Sequence, residues 1–312
     1  MYRERKYRRT SILKIATTTG DFIAFCATDV ERIQHVSAAG FKYIDLKMKA
    51  MSPTDLYMQD DWKKPISLLK DEADRLGVTF VQAHCPSGNA IKGDENRINT
   101  VINGMIRSVE ICSELGIKNT VVHLGCLPDI SKDEWAERNL AFCKRLFPVM
   151  ERTGVNVLIE NSTAVNMKSM YYCNSGREML EFLEYADHPL LHACWDTGHA
   201  NCEGSQYDEI VTLGKELYAI HYNDNLGNAD QHLLPYLGRL NHDEIINALI
   251  DIGYKGYFTF EASNSLVGAK GRRAFERDTR LAKPQLFMQD RLIELLYEMG
   301  RYMLSEYGIF EE

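Results

Sequence analysis

The chain has 312 residues, 45% of them hydrophobic and 26% charged, and a formal net charge of −8. A core of useful size is readily buried at this length, the composition is that of a soluble globular protein, and the acidic balance gives no generic attraction to a nucleic-acid backbone. Eight cysteines with no CxxC pair read as reduced thiols, and hence as a cytoplasmic chain.

The first residues, MYRERKYRRTS, are basic. With no apolar stretch behind them they are not a secretory signal, and no apolar run is long enough to span a bilayer. Residues 11–17 (SILKIAT) form the first strand, and 29–40 have a helical period closed by glycine. Strand 43–48 (YIDLKM) puts Asp45 and Lys47 on one side. A helix over 61–77 leads to strand 79–84 (TFVQAH), and a long helix over 97–116 to strand 119–124 (NTVVHL). The helix over 131–154 opens with SKDE, a capping-box pattern, and strand 156–161 (NVLIEN) follows. Helix 176–186, strand 190–196, helix 207–216, strand 217–222 (LYAIHY), helix 241–253, strand 256–262 (GYFTFEA) and helix 284–304 complete the chain.

Eight strand-then-helix units predict a parallel sheet closed into a single (β/α)8 TIM barrel, one domain spanning 1–312. A doubly wound open sheet is the alternative, but no glycine-rich phosphate fingerprint follows the first strand. Residues 1–10 stand apart as a basic arm, and 264–282, with KGRR inside it, as an irregular loop over the strand ends. Both are candidate contacts for a second copy, so a homo-oligomer is an expectation.

The stretch LLHACWDTGHAN at 190–201 is the centre of the pattern. An apolar run ends in Asp196, His199 follows three residues later, and Gly198 is expected to relax the turn between them. Apolar runs likewise end in or beside His84, His123, Glu160, His221 and Glu261, and Asp230 and His232 follow the seventh strand. In a barrel all such ends open on one face, where chemistry is expected. Five of the nine histidines are in this set, and imidazoles with carboxylates are ordinary ligands of a divalent ion.

The segments AHCPSGN, VVHLG, LIEN, WDTGHAN, HYNDNLGNADQHLLPYLGRL and FTFEAS resemble the xylose isomerase-like barrel superfamily, which holds sugar and sugar-phosphate isomerases and epimerases and also nucleases of the endonuclease IV type. The isomerase branch implies one divalent ion on Glu160, Asp196, His221 and Glu261, with Mn²⁺ foremost and Mg²⁺, Co²⁺ or Zn²⁺ also suited. It implies that Glu160 and Glu261 move the proton of a sugar or sugar phosphate through a cis-enediolate. His84, His123, His199, Asp230 and His232 then become substrate-binding candidates, with Arg239 as an anion contact.

The nuclease branch implies a trinuclear zinc site, and all nine strand-end residues match its ligand set. Ser87 in HCPSGN stands where that branch has a DNA-inserting aromatic, and the charge of −8 is unfavourable for duplex binding. No nucleic acid and no membrane are therefore expected as partners. A metal-dependent dehydratase or lyase, and a sugar-binding barrel without activity, are the further alternatives. Asn161 and Asn201 are candidates to orient ligands, Asp224 and Asn225 to shape the mouth, Trp195 to pack in the core, and Lys47 to meet a substrate oxygen or stay solvated.

Overall fold

The computed structural model describes residues 12–49, 51–262, 264–267 and 285–311. The eight strands are β1 (Lys14–Thr18), β2 (Tyr43–Lys47), β3 (Thr79–His84), β4 (Asn119–Val122), β5 (Asn156–Glu160), β6 (Leu191–Asp196), β7 (Leu217–His221) and β8 (Tyr257–Phe260). They form one parallel sheet in the order β7-β6-β5-β4-β3-β2-β1-β8. Just past β7, Tyr222 donates its N–H to Thr259 O (2.7 Å) and accepts from Glu261 N (3.1 Å), which joins the two ends of the sheet. The fold is a (β/α)8 barrel. Predicted and observed strands agree to within a few residues; β2, β4, β5, β7 and β8 end one or two residues before the predicted strands.

The helices are α1 (Asp29–Ala38), α2 (Lys63–Leu76), α3 (Glu95–Leu115), α4 (Lys132–Thr153), α5 (Ala164–Met167), α6 (Gly176–Ala186), α7 (Thr197–Asn201), α8 (Tyr207–Leu213), α9 (His242–Asp251), α10 (Asn264–Val267) and α11 (Leu286–Glu306). Most of their starts are set by side-chain caps, α2, α8 and α11 excepted: Thr28 and Ser175 make full capping boxes with Glu31 and Glu178. At SKDE only half of the box forms. Ser131 Oγ accepts from Glu134 N at 3.1 Å, but the Glu134 carboxylate turns to Arg138 at 2.8 Å. Gly77 and Gly116 end α2 and α3 in the left-handed region, at φ 67° and 76°, where a Cβ would be strained.

The short helices α5, α7 and α10 were not legible as elements. The most consequential is α7. Asp196 caps it, accepting from His199 N at 2.7 Å, so the segment after β6 is a helical turn rather than a relaxed loop. Gly198 does not take a positive φ; it is glycine because a Cβ there would overlap the Asn223 side chain. The expected role of its backbone freedom is replaced by close packing. The basic arm, residues 268–282 of the irregular loop and the expected helix start at 284 lie outside the described residues.

The main apolar core lies between the strands and the helix ring. A second cluster, Val121, Leu158, Cys194 and Ala219, comes from β4 to β7. Beside it the barrel interior is polar: Gln82 on β3 donates to Asp45 on β2 (2.8 Å) and meets His221 on β7 (2.8 Å). That last contact joins strands four positions apart in the sheet and so crosses the barrel. Among the described residues no helix is long and apolar enough to cross a membrane.

Candidate metal centre

The strand ends deliver the predicted residues to one place. Glu160 closes β5, Asp196 β6 and His221 β7, while Glu261 follows β8 directly. One ligand atom from each of the four lies within 4.8 Å of the others. His221 presents Nδ1 to Glu160 Oε1 at 2.6 Å and to Glu261 Oε2 at 3.5 Å. Its Nε2 rests on Gln82, with Asp45 Oδ2 at 3.7 Å, so the ring is held from behind. Asn223 Nδ2 donates to Asp196 Oδ2 at 2.9 Å, and the Asn161 amide brackets the Asp196 main chain with bonds of 2.6 and 3.0 Å.

The remaining histidines surround this group in an ordered way. His84, His199 and His232 each bond a main-chain carbonyl through Nδ1: Cys85 O (2.8 Å), Asn161 O (2.9 Å) and Glu261 O (2.7 Å). An Nδ1–H donor spent on a carbonyl leaves Nε2 to face inward, the arrangement that prepares an imidazole to ligate or to bind substrate. His84 and His123 direct Nε2 at Glu160 Oε2 from 3.4 and 3.1 Å. His199 and His232 direct Nε2 at Asp230, at 3.3 and 3.1 Å, and form a second group of potential ligands. His232 holds φ +48°, which is unusual for a side chain of this size and aims its ring at Asp230.

Exposure separates these residues. His84 is 2% and His199 5% exposed, so both are nearly sealed, whereas the His123 side chain is 26% exposed and opens to the mouth. Arg239 is exposed and donates its main-chain N–H to Asn225 O at 2.8 Å; among the described residues its guanidinium joins no ion pair of the cluster. Asn201 bonds Asn225 from 2.8 Å, and Asp224 accepts from the N–H groups of Gly238 and Leu240 (2.8 and 2.9 Å). These contacts fold residues 224–240 over the strand ends. Trp195 packs in the core as expected and bonds Gln206.

Lys47 is the residue whose place the sequence did not settle. Its ammonium reaches Glu261 Oε1 at 2.8 Å. Burial works against the charge on Glu261, but Lys47, His221 and His232 outweigh it and hold the carboxyl well below its usual range. Glu160 is likewise held far below, since His123 and His221 overcome its burial. Burial lowers His199 and His232, but Asp196 and Asp230 in the first case, and Asp230 and Glu261 in the second, raise both to about 10. His123 is pushed down to about 4, chiefly by burial.

Asp21 was not anticipated. It is 2% exposed and accepts from Thr17 Oγ1 at 2.6 Å, and among the described residues its Oδ1 has no hydrogen-bond partner. Burial raises its carboxyl to about 8, with the Thr17 bond opposing. A carboxyl raised above its unfolded value near 4 binds its proton more tightly in the native state. The contribution of Asp21 to native stability is therefore full below about pH 4, falls by up to about 1.4 kcal/mol per unit as pH rises towards 8, then levels. Asp21→Asn should flatten that slope, read as the urea midpoint of both proteins from pH 5 to 9. Parallel curves would show that Asp21 is ionised in the native protein.

The donor set suits a bound cation on one further observation. Among the described residues Glu160 Oε2 is buried without a hydrogen bond, with the Nε2 atoms of His84 and His123 facing it at 3.4 and 3.1 Å. Such an oxygen is costly unless a ligand or ion satisfies it.

The chain is 28% identical over 283 residues to the D-psicose 3-epimerase of Ruminiclostridium cellulolyticum, covering 88% of this chain and 91% of that protein. It is 26% identical over 261 residues to the L-ribulose 3-epimerase of a Methylomonas species, covering 79% and 82%. The crystal structure of D-psicose 3-epimerase with D-tagatose from Clostridium cellulolyticum superposes with a TM-score of 0.71 at 21% identity, over 94% of this chain and 99% of that one, a likeness of fold. The family model described as xylose isomerase-like TIM barrel matches residues 33–285, and the chain belongs to that family.

Proposed function

We propose that the protein is a divalent-metal-dependent epimerase or isomerase of a ketose or ketose phosphate. The observation that carries this is the convergence of Glu160, Asp196, His221 and Glu261 from four different strand ends. Three carboxylates and one imidazole favour Mn²⁺ or Mg²⁺, and Co²⁺ or Zn²⁺ fit the same donors. An ion held there would polarise the ketose carbonyl and acidify the carbon beside it.

The chain's own groups do the rest. Glu160 and Glu261 are 1% and 8% exposed and both favour the ionised form, so either is ready to accept a proton. One takes it from the carbon next to the carbonyl to give a cis-enediolate; the other, having first picked up a proton from water, delivers it from the opposite face, and the first then passes its own proton to solvent. A proton taken from C3 and returned to C3 inverts that centre; one taken from C1 and returned to C2 gives the aldose. Lys47 keeps Glu261 oriented. His123, His199, Asp230 and His232 bind hydroxyls at the mouth, His84 braces Glu160, and Arg239 meets the anion of a phosphorylated substrate. The 3-epimerase relatives favour inversion beside the ketone.

The test is incubation with a panel of ketoses and ketose phosphates in D₂O with Mn²⁺. Loss of the proton signal next to the carbonyl, with appearance of the epimer, is expected; no exchange with any of them would overturn the reading. A second reading is favoured by one feature, the His199–Asp230–His232 group beside His84 and His123, which supplies donors for further ions. Elemental analysis of protein purified without chelator separates the two. About one ion per chain and no cleavage of abasic-site DNA fits the sugar enzyme, whereas about three zinc ions with cleavage would make it a nuclease.

A further inference from the structure

A cavity of about 420 Å³ enters the end of the barrel remote from the metal centre, between the turns before β7 and β8, where Lys215 and Lys255 stand at the rim. Its walls include Asn119 on β4, Tyr218 on β7 and Tyr257 on β8, and it reaches Val81 and Gln82 on β3. In the order of the sheet β3 and β4 lie across the barrel from β7 and β8, so the cavity occupies the lower bore itself. Alternation along the strands explains its polar lining. Asn119 lies two residues below Val121, which faces the bore with Leu158, Cys194 and Ala219, and Asn156 stands beside Asn119 in register. Tyr43 lies two residues below Asp45, and its ring meets that of Tyr257 at 5.0 Å and the Lys14 ammonium at 5.1 Å.

The lining holds two lysines and no carboxylate, in a chain of net charge −8. Among the described residues Lys255 has no ion pair, and Lys215 has only Glu216 at 3.7 Å. Such ammonium groups suit a phosphate. The amides supply hydrogen bonds. Asn156 Nδ2 donates to Asn119 Oδ1 at 2.9 Å, and Gln82 spends only its Nε2, on Asp45 and His221. Asn119 Nδ2 and Gln82 Oε1 have no partner among the described residues, although Gln82 is only 3% exposed, and a buried polar group of this kind calls for one. Tyr218, Tyr254 and Tyr257 add aromatic surface, with Tyr218 backed by the His192 ring at 3.7 Å. Aromatic walls with a few convergent polar groups make a small-molecule site. We propose that the lower bore binds a phosphorylated sugar, with its phosphate at Lys215 and Lys255, its hydroxyls on the amides of Asn119 and Gln82, and its carbon skeleton against the tyrosines. Nothing in this assignment requires an ion at the opposite end of the barrel.

Calorimetric titration of the full chain tests this, with fructose 6-phosphate and ribulose 5-phosphate as probes. The protein is first stripped of divalent ions, so that no metal holds a sugar at the strand ends. At least one of the two is expected to bind, free fructose is not, and inorganic phosphate should bind about tenfold more weakly. Lys215→Glu and Lys255→Glu should each weaken binding about tenfold, and together about a hundredfold. Lys70→Glu combined with Lys144→Glu makes the same change of charge on the outer faces of α2 and α4 and should leave binding unaltered. All four lysines are exposed, so the circular-dichroism spectrum should stay that of the wild type. No binding of either sugar phosphate, inorganic phosphate binding as tightly as both, or equal losses in the two double variants would each overturn the proposal.

Discussion

Glu261→Gln is expected to abolish exchange of the substrate's carbon-bound proton with solvent and to lower turnover about 10³-fold, the contribution of a positioned acid–base group. Glutamine keeps the shape and one acceptor oxygen, so the fold should survive. The amide cannot take a proton from carbon or carry one to it. The Lys47 ion pair at 2.8 Å is lost as well. Because the Lys47 side chain is 23% exposed, water replaces part of that interaction, and the stability cost should stay at about 1–2 kcal/mol. The readouts are deuterium incorporation by NMR, turnover, and the thermal midpoint of the same preparation. Full activity with wild-type exchange would remove Glu261 from the proton path. Lost activity with a collapsed midpoint would instead assign the residue to structure.

The architecture was legible because it is written in local periods. Eight apolar runs alternate with eight amphipathic stretches, and most helices announce their starts with caps such as Thr28, Asp94 and Ser175. Glu160, Asp196, His221 and Glu261 were legible for a related reason: each ends an apolar run, and a barrel sends every such end to one face. What holds them was not. Gln82 and Asp45 sit inside ordinary-looking strands, and only closure of the barrel brings them behind His221. Asn223 and the ion pair of Lys47 depend on contacts between residues 27 and 214 positions apart, which no local pattern encodes. Gly198 shows the same limit from the other side. Its identity is readable, but its cause is the Asn223 side chain packed against it.

Removing divalent ions with a chelator is expected to abolish turnover completely and to lower the thermal midpoint, and Mn²⁺ should restore both. The structural reason lies in the charges. Glu160, Asp196 and Glu261 are all buried, and three carboxylates in one space repel unless a cation joins them. Without one, His221, His84, His123 and Lys47 are what faces them, and burial is outweighed at His221 by Cys194, Glu160 and Glu261, so the ring is held well above its usual range. An ion must displace that proton from His221 to use its nitrogen. Apparent metal affinity should therefore rise with pH, with proton release on binding measurable by calorimetry in buffers of different ionisation enthalpy. An ion present at 1,000 times its dissociation constant stabilises the native state by about 4 kcal/mol, a midpoint shift of about 8 °C for a chain of this size. His221→Ala should lose the shift along with the activity. Undiminished turnover in protein stripped of every divalent ion would leave the four-residue group a structural ion network and would end the case for metal-assisted proton transfer.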